Sequence, residues 1–372
     1  MKILIAPDKF KGSLNAKDLC NAIAEGILVN YPDAEIVKFP LADGGEGSVD
    51  IIEQHLNLNT ISLEVCDPLF RKITASYKIN ETTAYIEMAA ASGFDLLTEE
   101  ERNPMLTTTY GTGEMIQDAL DRGVKKVYLF IGGSATCDAG MGMAQAMDYQ
   151  FLDKNGENLS GIGKNMAKIA TIITPKNSKY RNLKCVTLCD VKNPLAGENG
   201  AAYVFGPQKG ASPDQVKLLD TGLKNFAAKV KEYLNKEISE IPGSGAAGGL
   251  GGGSIAFLNA KLKSGIDSIF EIVQFEKQLK NVDLIITGEG KLDKQTLEGK
   301  VVSGVSAFAK KNNIPLYVIC GDVDLNESDL KKLGVEKLSS VMQIAKNKQD
   351  AFVNTATLVK KIAKNMLQKG DF

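Results

Sequence analysis

The sequence is poor in the residues that several common chemistries require. It contains one histidine, His55, which leaves little material for a Ser-His-Asp triad or a multi-histidine metal site. His55 closes the segment SVDIIEQHL, and an imidazole near the last carbonyls of a helix is an ordinary structural choice. The six cysteines include no Cys-x-x-Cys pair, which argues against a structural zinc or a disulfide framework and for reduced thiols in a cytoplasmic protein. Cys185 and Cys189 in KCVTLCD would share one face of a strand, where packing explains them. No run approaches the roughly 20 apolar residues of a membrane span, and Met1–Ala6 is too short for a signal segment, so no membrane anchor is expected. Lysine and arginine (44) balance aspartate and glutamate (45), so no overall basic field would draw nucleic acid. A Walker-type loop is also missing: in Gly288–Lys291 (GEGK), Ile285 replaces the first glycine and Leu292 the hydroxyl residue.

What is present is a repeated grammar of strand, small acidic glycine loop and helix. Lys2–Ala6 precedes PDKFKGS and a helix that Asn15 can cap, and Glu35–Phe39 precedes PLADGGEG. Val127–Ile131 precedes GGSATCDAG and a helix over Gly140–Met147. Leu183–Leu188 ends on Asp190, and Asp283–Thr287 runs into GEGKLDKQTLEGK. Between these units, Arg71–Ile79 and Thr83–Met88 alternate around Asn80–Glu81 as an antiparallel hairpin would. Further strands are expected at Pro315–Cys320 and Leu338–Ile344, with a closing helix over Gln349–Leu367. A chain of 372 residues exceeds the size at which one core keeps growing. The expectation is an α/β protein of two domains. A doubly wound, Rossmann- or flavodoxin-like parallel-sheet domain is built from both chain ends (1–60 plus 281–372), and a mixed α/β domain with glycine-rich loops (61–280) is inserted in it.

The loops carry the candidate chemistry. Gly132, Gly133, Ser134 and Thr136 combine glycines that admit a close ligand with hydroxyl donors ahead of a helix, a pattern that suits phosphate and equally an ordinary tight connection. Pro242–Ser254 (PGSGAAGGLGGGS) reads as a loop whose amides approach a phosphate, or as a hinge or close helix contact. Its Gly243-x-Gly245-x-x-Gly248 matches the dinucleotide fingerprint, but ISEIP before it is a poor strand, so the match reads as coincidence. Asp8, Asp43, Asp138, Asp190 and Asp293 all follow expected strands or sit in the glycine loops. Carboxylates there suit Mg²⁺ held by one or two of them and a positioned base, although turns and helix caps use the same residue. Lys9, Lys11, Lys209, Lys291 and Lys300 accompany them, and Arg71 could grip a substrate carboxylate or join a structural ion pair. The residues alone describe an enzyme handling a phosphorylated nucleotide and a small polar acceptor.

The segments IAPDKFKGSL, PLADGGEG, IEMAAASG, YGTGE, GGSAT with Asp138, CDVKNPL, GPQKGA, PGSGAAGGLG and TGEGKLDKQTLEGK, in this order, resemble the type I glycerate kinases. The family pattern departs at Lys9 (usually Ser), Cys137 (usually Asn) and Ala139–Met141 (usually Gly-Gly-Ala). The resemblance implies ATP-dependent, Mg²⁺-assisted phosphorylation of D-glycerate to 2-phosphoglycerate, or to the 3-phosphate, in a cleft between two domains. Joined to the residue reading, it assigns Asp190 or Asp43 as base and Asp43, Glu46 and Asp293 to the metal. Lys11, Ser13 and Arg71 go to the substrate, and Gly132, Gly133, Ser134, Thr136, Asp138, Lys209, Gly243, Gly245, Gly248 and Gly249 to ATP phosphates. A homodimer is left open. Two other classes stay in view: an NAD-dependent oxidoreductase of a small hydroxy acid, and a non-catalytic glycerate sensor.

Overall fold

Short strands rich in isoleucine, leucine and valine alternate with helices along most of the chain, and this alternation builds one wholly parallel sheet and one mixed sheet. The computed structural model describes residues 1–45, 47–176 and 179–367. The chain divides into two units, one of Met1–Asp43, Asp50–His55 and Ile266–Phe372, the other of Gly44–Val49 and Leu56–Gly265.

The first unit carries a five-stranded sheet in the spatial order Lys337–Ser340, Leu316–Cys320, Leu284–Thr287, Lys2–Ile5, Glu35–Lys38. Every neighbouring pair is parallel. Numbered within the unit, the order is 2-1-3-4-5, the flavodoxin-like arrangement, whose switch point lies between Lys2–Ile5 and Leu284–Thr287. Both of those strands are almost wholly buried, as continuous apolar runs under helices should be. On one face the helix Ala16–Asn30 crosses Thr355–Met366 closely at Gly26, where a Cβ would stand 2.4 Å from the Lys360 carbonyl oxygen. The line drawn from sequence at residue 281 misses Ile266–Leu279. The rings of Phe270 and Phe275 lie tilted with centroids 4.7 Å apart, and both meet Phe308 of the first unit at 5.0 and 5.3 Å. His55 stacks on Phe39 at 4.0 Å and its Nε2 lies 2.7 Å from the Pro40 carbonyl oxygen, while burial pushes its pKa down. The single histidine is a packing residue.

The second unit carries a six-stranded mixed sheet: Lys261–Lys263, Lys184–Leu188, Lys126–Phe130, Thr83–Glu87, Lys72–Asn80, Asn59–Cys66. The first four strands are parallel to one another, and Lys72–Asn80 is antiparallel to both of its neighbours, as the hairpin pattern predicts. Three expected elements differ. The strand near 338 ends at Ser340 and gives way to a 3₁₀ turn over Val341–Gln343, because Ser340 and Gln343 form a reciprocal cap. The closing helix is two helices, Lys348–Val353 and Thr355–Met366. The glycine run expected as a loop contains the helix Leu250–Leu258. A Cβ on Gly253 would stand 2.2 Å from the Ala139 carbonyl oxygen, and one on Gly251 2.2 Å from that of Gly243. Close backbone packing outweighs the roughly 1 kcal/mol helix penalty of each glycine.

Candidate functional site

Open parallel sheets bind ligands beyond the carboxyl ends of their strands, and each unit has a cavity there. The cavity of the first unit encloses about 460 Å³ at the switch point. Its walls come from the turn after Lys2–Ile5 (Asp8, Lys11, Ser13), from Asp43, and from the loop after Leu284–Thr287 (Glu289, Asp293, Lys300). The two turns are tied together, since the Asp8 amide donates to the Gly288 carbonyl at 2.9 Å. Asp8 is 8% exposed and Glu289 4%. Burial, reinforced by the negative charge of Asp43 and then of Glu289, raises the Asp8 pKa to about 7. Burial likewise raises Glu289 to about 7, against the hydroxyl of Thr296 that donates to it.

The folded state holds both protons up to about pH 7, whereas an unfolded chain releases them near the ordinary carboxyl values of 3.8 and 4.5. Between those limits the folded state binds more protons, so this contribution to stability is present at low pH and is lost as pH rises through about 7. Thermal unfolding of Asp8→Asn without divalent cation should therefore show a larger gain over wild type at about pH 8 than at about pH 5.

The cavity of the second unit is larger, about 850 Å³. It opens at the ends of Thr83–Glu87, Lys126–Phe130 and Lys184–Leu188, which deliver Glu87, the loop Ile131–Ser134, and Cys189–Asp190. Gly132 and Gly133 are exposed to it, and Gly133 has a φ of 72°, which its missing side chain permits. Lys209 is the notable cation, only 3% exposed. Its Nζ donates to the Ser134 hydroxyl at 2.6 Å and to the Thr136 carbonyl at 2.7 Å, and burial pushes its pKa down to about 8. A desolvated ammonium held by neutral oxygens on a cavity wall is a site that gains from an anion. Asp190 is exposed here, its Oδ1 accepting from the Gly265 amide at 2.8 Å.

Several sequence assignments are redrawn. Asp138 is fully buried and accepts from the Thr109 amide (2.8 Å), the Thr109 hydroxyl (2.7 Å) and the amides of Gly140 (3.2 Å) and Gly142 (3.1 Å). Burial raises its pKa, and its carboxyl group is taken up by these donors, which leaves it no part in binding phosphate. Thr136 is fully buried and its Oγ1 has no partner among the described residues, so it offers its backbone to Lys209 rather than its hydroxyl to the cavity. Gly243, Gly245, Gly248 and Gly249 line neither cavity. They serve close packing: a Cβ on Gly248 (φ 66°) would stand 1.9 Å from the Thr136 carbonyl oxygen, and one on Gly245 2.1 Å from that of Pro194. Ala246 and Ala247 form the wall instead. Arg71 also lines neither cavity; its Nε meets Asp67 at 2.5 Å and its NH1 Glu101 at 2.6 Å, the structural ion pair. Glu46, proposed for the metal, lies outside the described residues.

The first cavity thus gathers Lys11, Ser13, Asp43 and Asp293, and the second Gly132, Gly133, Ser134, Lys209 and Asp190. Sequence reasoning missed Glu289, visible only as the acid of GEGK, and Glu87, whose Oε1 accepts from the Gly47 amide at 3.1 Å. It also missed the aromatic wall residues Phe94 and Phe205.

Comparison with known proteins agrees along the chain. The model of the glycerate kinase family matches residues 3–369. A glycerate kinase of Bacillus cereus is 41% identical, covering 98% of this chain and 97% of that protein. The glycerate 2-kinase of Escherichia coli is 40% identical, covering 95% and 93%. A crystal structure of a Salmonella typhimurium LT2 protein assigned as a glycerate kinase 2 superposes with a TM-score of 0.88 at 39% identity, covering 98% of this chain and 97% of that one.

Proposed function

This chain belongs to the glycerate kinase family, and on that premise we propose that it transfers the γ-phosphoryl group of ATP to the 2-hydroxyl of D-glycerate. The observation that carries the nucleotide half is Lys209, a buried cation on a glycine loop with no carboxylate hydrogen-bonded to it among the described residues. In this reading the larger cavity takes ATP. Lys209, Ser134 and the exposed amides around Gly132 and Gly133 hold phosphate oxygens, stabilising charge as it spreads during transfer.

The smaller cavity takes glycerate and the metal. Lys11 and Ser13 face the anionic acceptor, and Asp43, which lines this cavity, accepts the hydroxyl proton in preference to Asp190, which lines the larger one. The donor set also fits Mg²⁺. Asp8 and Glu289 are held protonated at physiological pH's edge by burial and neighbouring carboxylates, a strain that a cation beside Asp43 relieves. Among the described residues no group of three or more acids, histidines or cysteines could hold a metal alone, which suits an ion that takes one or two protein carboxylates and otherwise water and phosphate. Asp43 and Asp293 are the residues proposed to hold it, and it would supply positive charge against the phosphate oxygens.

No observation favours the oxidoreductase: the fingerprint glycines follow no strand and are filled by packing. Six free thiols fit the reducing cytoplasm, where we place the enzyme, and among the described residues no helix is long and apolar enough to cross a membrane.

The test is ADP release coupled to added D-glycerate, compared with L-glycerate and glycolate. Turnover with D-glycerate alone is expected, and Asp43→Asn should lower kcat by about 10²–10⁴-fold with a small change in KM. Arg71→Ala should leave the glycerate KM within about twofold while lowering the thermal midpoint, because it removes an ion pair from a partly exposed turn. A large rise in that KM would return Arg71 to the substrate.

A further inference from the structure

Two aromatic side chains on the wall of the larger cavity, Phe94 and Phe205, have no part in the account so far. Each is half-buried, and among the described residues neither joins the apolar core of its unit. Phe94 is fixed by backbone on both sides. Its amide donates to the Gly133 carbonyl at 2.8 Å, and the preceding Gly93 forms an isolated antiparallel bridge with Ser134. Gly93 has no room for a side chain, since a Cβ would stand 2.2 Å from the Ala89 carbonyl oxygen. The ring therefore stands beside the glycine loop at a set place.

One face of that ring is already covered. The Arg102 guanidinium carbon lies 3.8 Å from the Phe94 centroid, and the buried Arg102 Nε has no hydrogen-bond partner among the described residues. Leaving a guanidinium N–H unsatisfied costs free energy, and the stack on Phe94 offsets part of that cost. Arg102 does not line the cavity, whereas Phe94 does. An aromatic ring that is braced by a cation and lines a ligand cavity offers a stacking surface to a flat π-system. Gln208, exposed on the same wall next to Lys209, presents an amide able both to donate to and accept from a base edge.

We propose that Phe94, braced by Arg102, is the platform on which the adenine base of ATP stacks, with Phe205 and Gln208 completing the base end of the cavity. This rests on the reading that the larger cavity takes ATP. Phosphate oxygens engage Lys209 and Ser134, and Phe94, one backbone hydrogen bond from Gly133, receives the base.

The experiment separates base from phosphate. Calorimetric titration of the whole protein with Mg²⁺ compares ATP with inorganic tripolyphosphate, which lacks base and ribose. Wild type is expected to bind ATP the more tightly. Phe94→Ala should weaken ATP about tenfold and leave tripolyphosphate unchanged, while Phe94→Trp keeps ATP binding. Arg102→Met, which removes the brace, should weaken ATP less than Phe94→Ala does. ATP binding unchanged in Phe94→Ala, or ATP and tripolyphosphate weakened equally, overturns the proposal. Failure of wild type to bind either ligand, or of Lys209→Met to weaken tripolyphosphate, overturns instead the nucleotide reading on which it rests.

Discussion

Replacing Lys209 by methionine is expected to lower kcat/KM for ATP by roughly a thousandfold without destabilising the protein. The two halves of that expectation come from the same burial. Lys209 is 3% exposed, its pKa is pushed down to about 8, and its Nζ touches only a hydroxyl and a carbonyl oxygen among the described contacts. Such an ammonium is costly to keep when the cavity is empty, and an apolar side chain of similar length removes that cost. If Lys209 merely braced the Ser134 loop, activity and stability would fall together. The pH dependence adds a second readout. Phosphate binding needs the charged form, so the ATP KM of the wild type should rise as pH passes through about 8. Thermal unfolding beside steady-state kinetics distinguishes the two roles.

The second large effect falls on stability. Asp138→Ala should lower the thermal midpoint by roughly 10 °C, the counterpart of about 3–5 kcal/mol for several buried donors that lose their shared acceptor. Asp138 satisfies two hydrogen bonds from Thr109 and the amides of Gly140 and Gly142, all in a fully buried setting. Alanine would orphan those donors, and Gly142 has no slack to move: a Cβ there would stand 2.1 Å from the Thr108 hydroxyl. Asp138→Asn tests the assignment more sharply. An amide keeps the volume but turns N–H groups toward N–H groups, so it should also destabilise. A folded, stable Asp138→Asn with altered ATP affinity would restore the phosphate contact read from sequence.

Much of the architecture was legible because parallel strands buried on both faces leave uninterrupted apolar runs. Lys2–Ile5, Leu284–Thr287 and Leu316–Cys320 are of this kind, and the glycine-acid loops after them mark the strand ends where ligands gather. What misled was the double use of glycine and aspartate. Gly132 and Gly248 look alike in sequence, yet one is exposed on a cavity wall and the other is pressed against the Thr136 carbonyl oxygen. Asp43 and Asp138 both follow small loops, and only contacts from residues distant in the chain, such as Thr109, distinguish a cavity acid from a buried cap. Phe94 carried no signal at all. A phenylalanine after Ser-Gly is ordinary, and its use depends on Arg102 lying over the ring. Arg71 illustrates the reverse case, a residue with attractive chemistry whose fork is taken by Asp67 and Glu101.

The central claim, phosphoryl transfer from ATP to the 2-hydroxyl of D-glycerate, is tested most directly by proton-coupled phosphorus NMR of the enzyme with Mg²⁺, ATP and D-glycerate. The account predicts loss of the ATP resonances, growth of ADP, and a new phosphomonoester doublet, because phosphorus at the 2-position couples to a single carbon-bound proton. ATP that stays intact, or releases only inorganic phosphate, would contradict the claim, and a triplet from the two protons at the 3-position would contradict its regiochemistry.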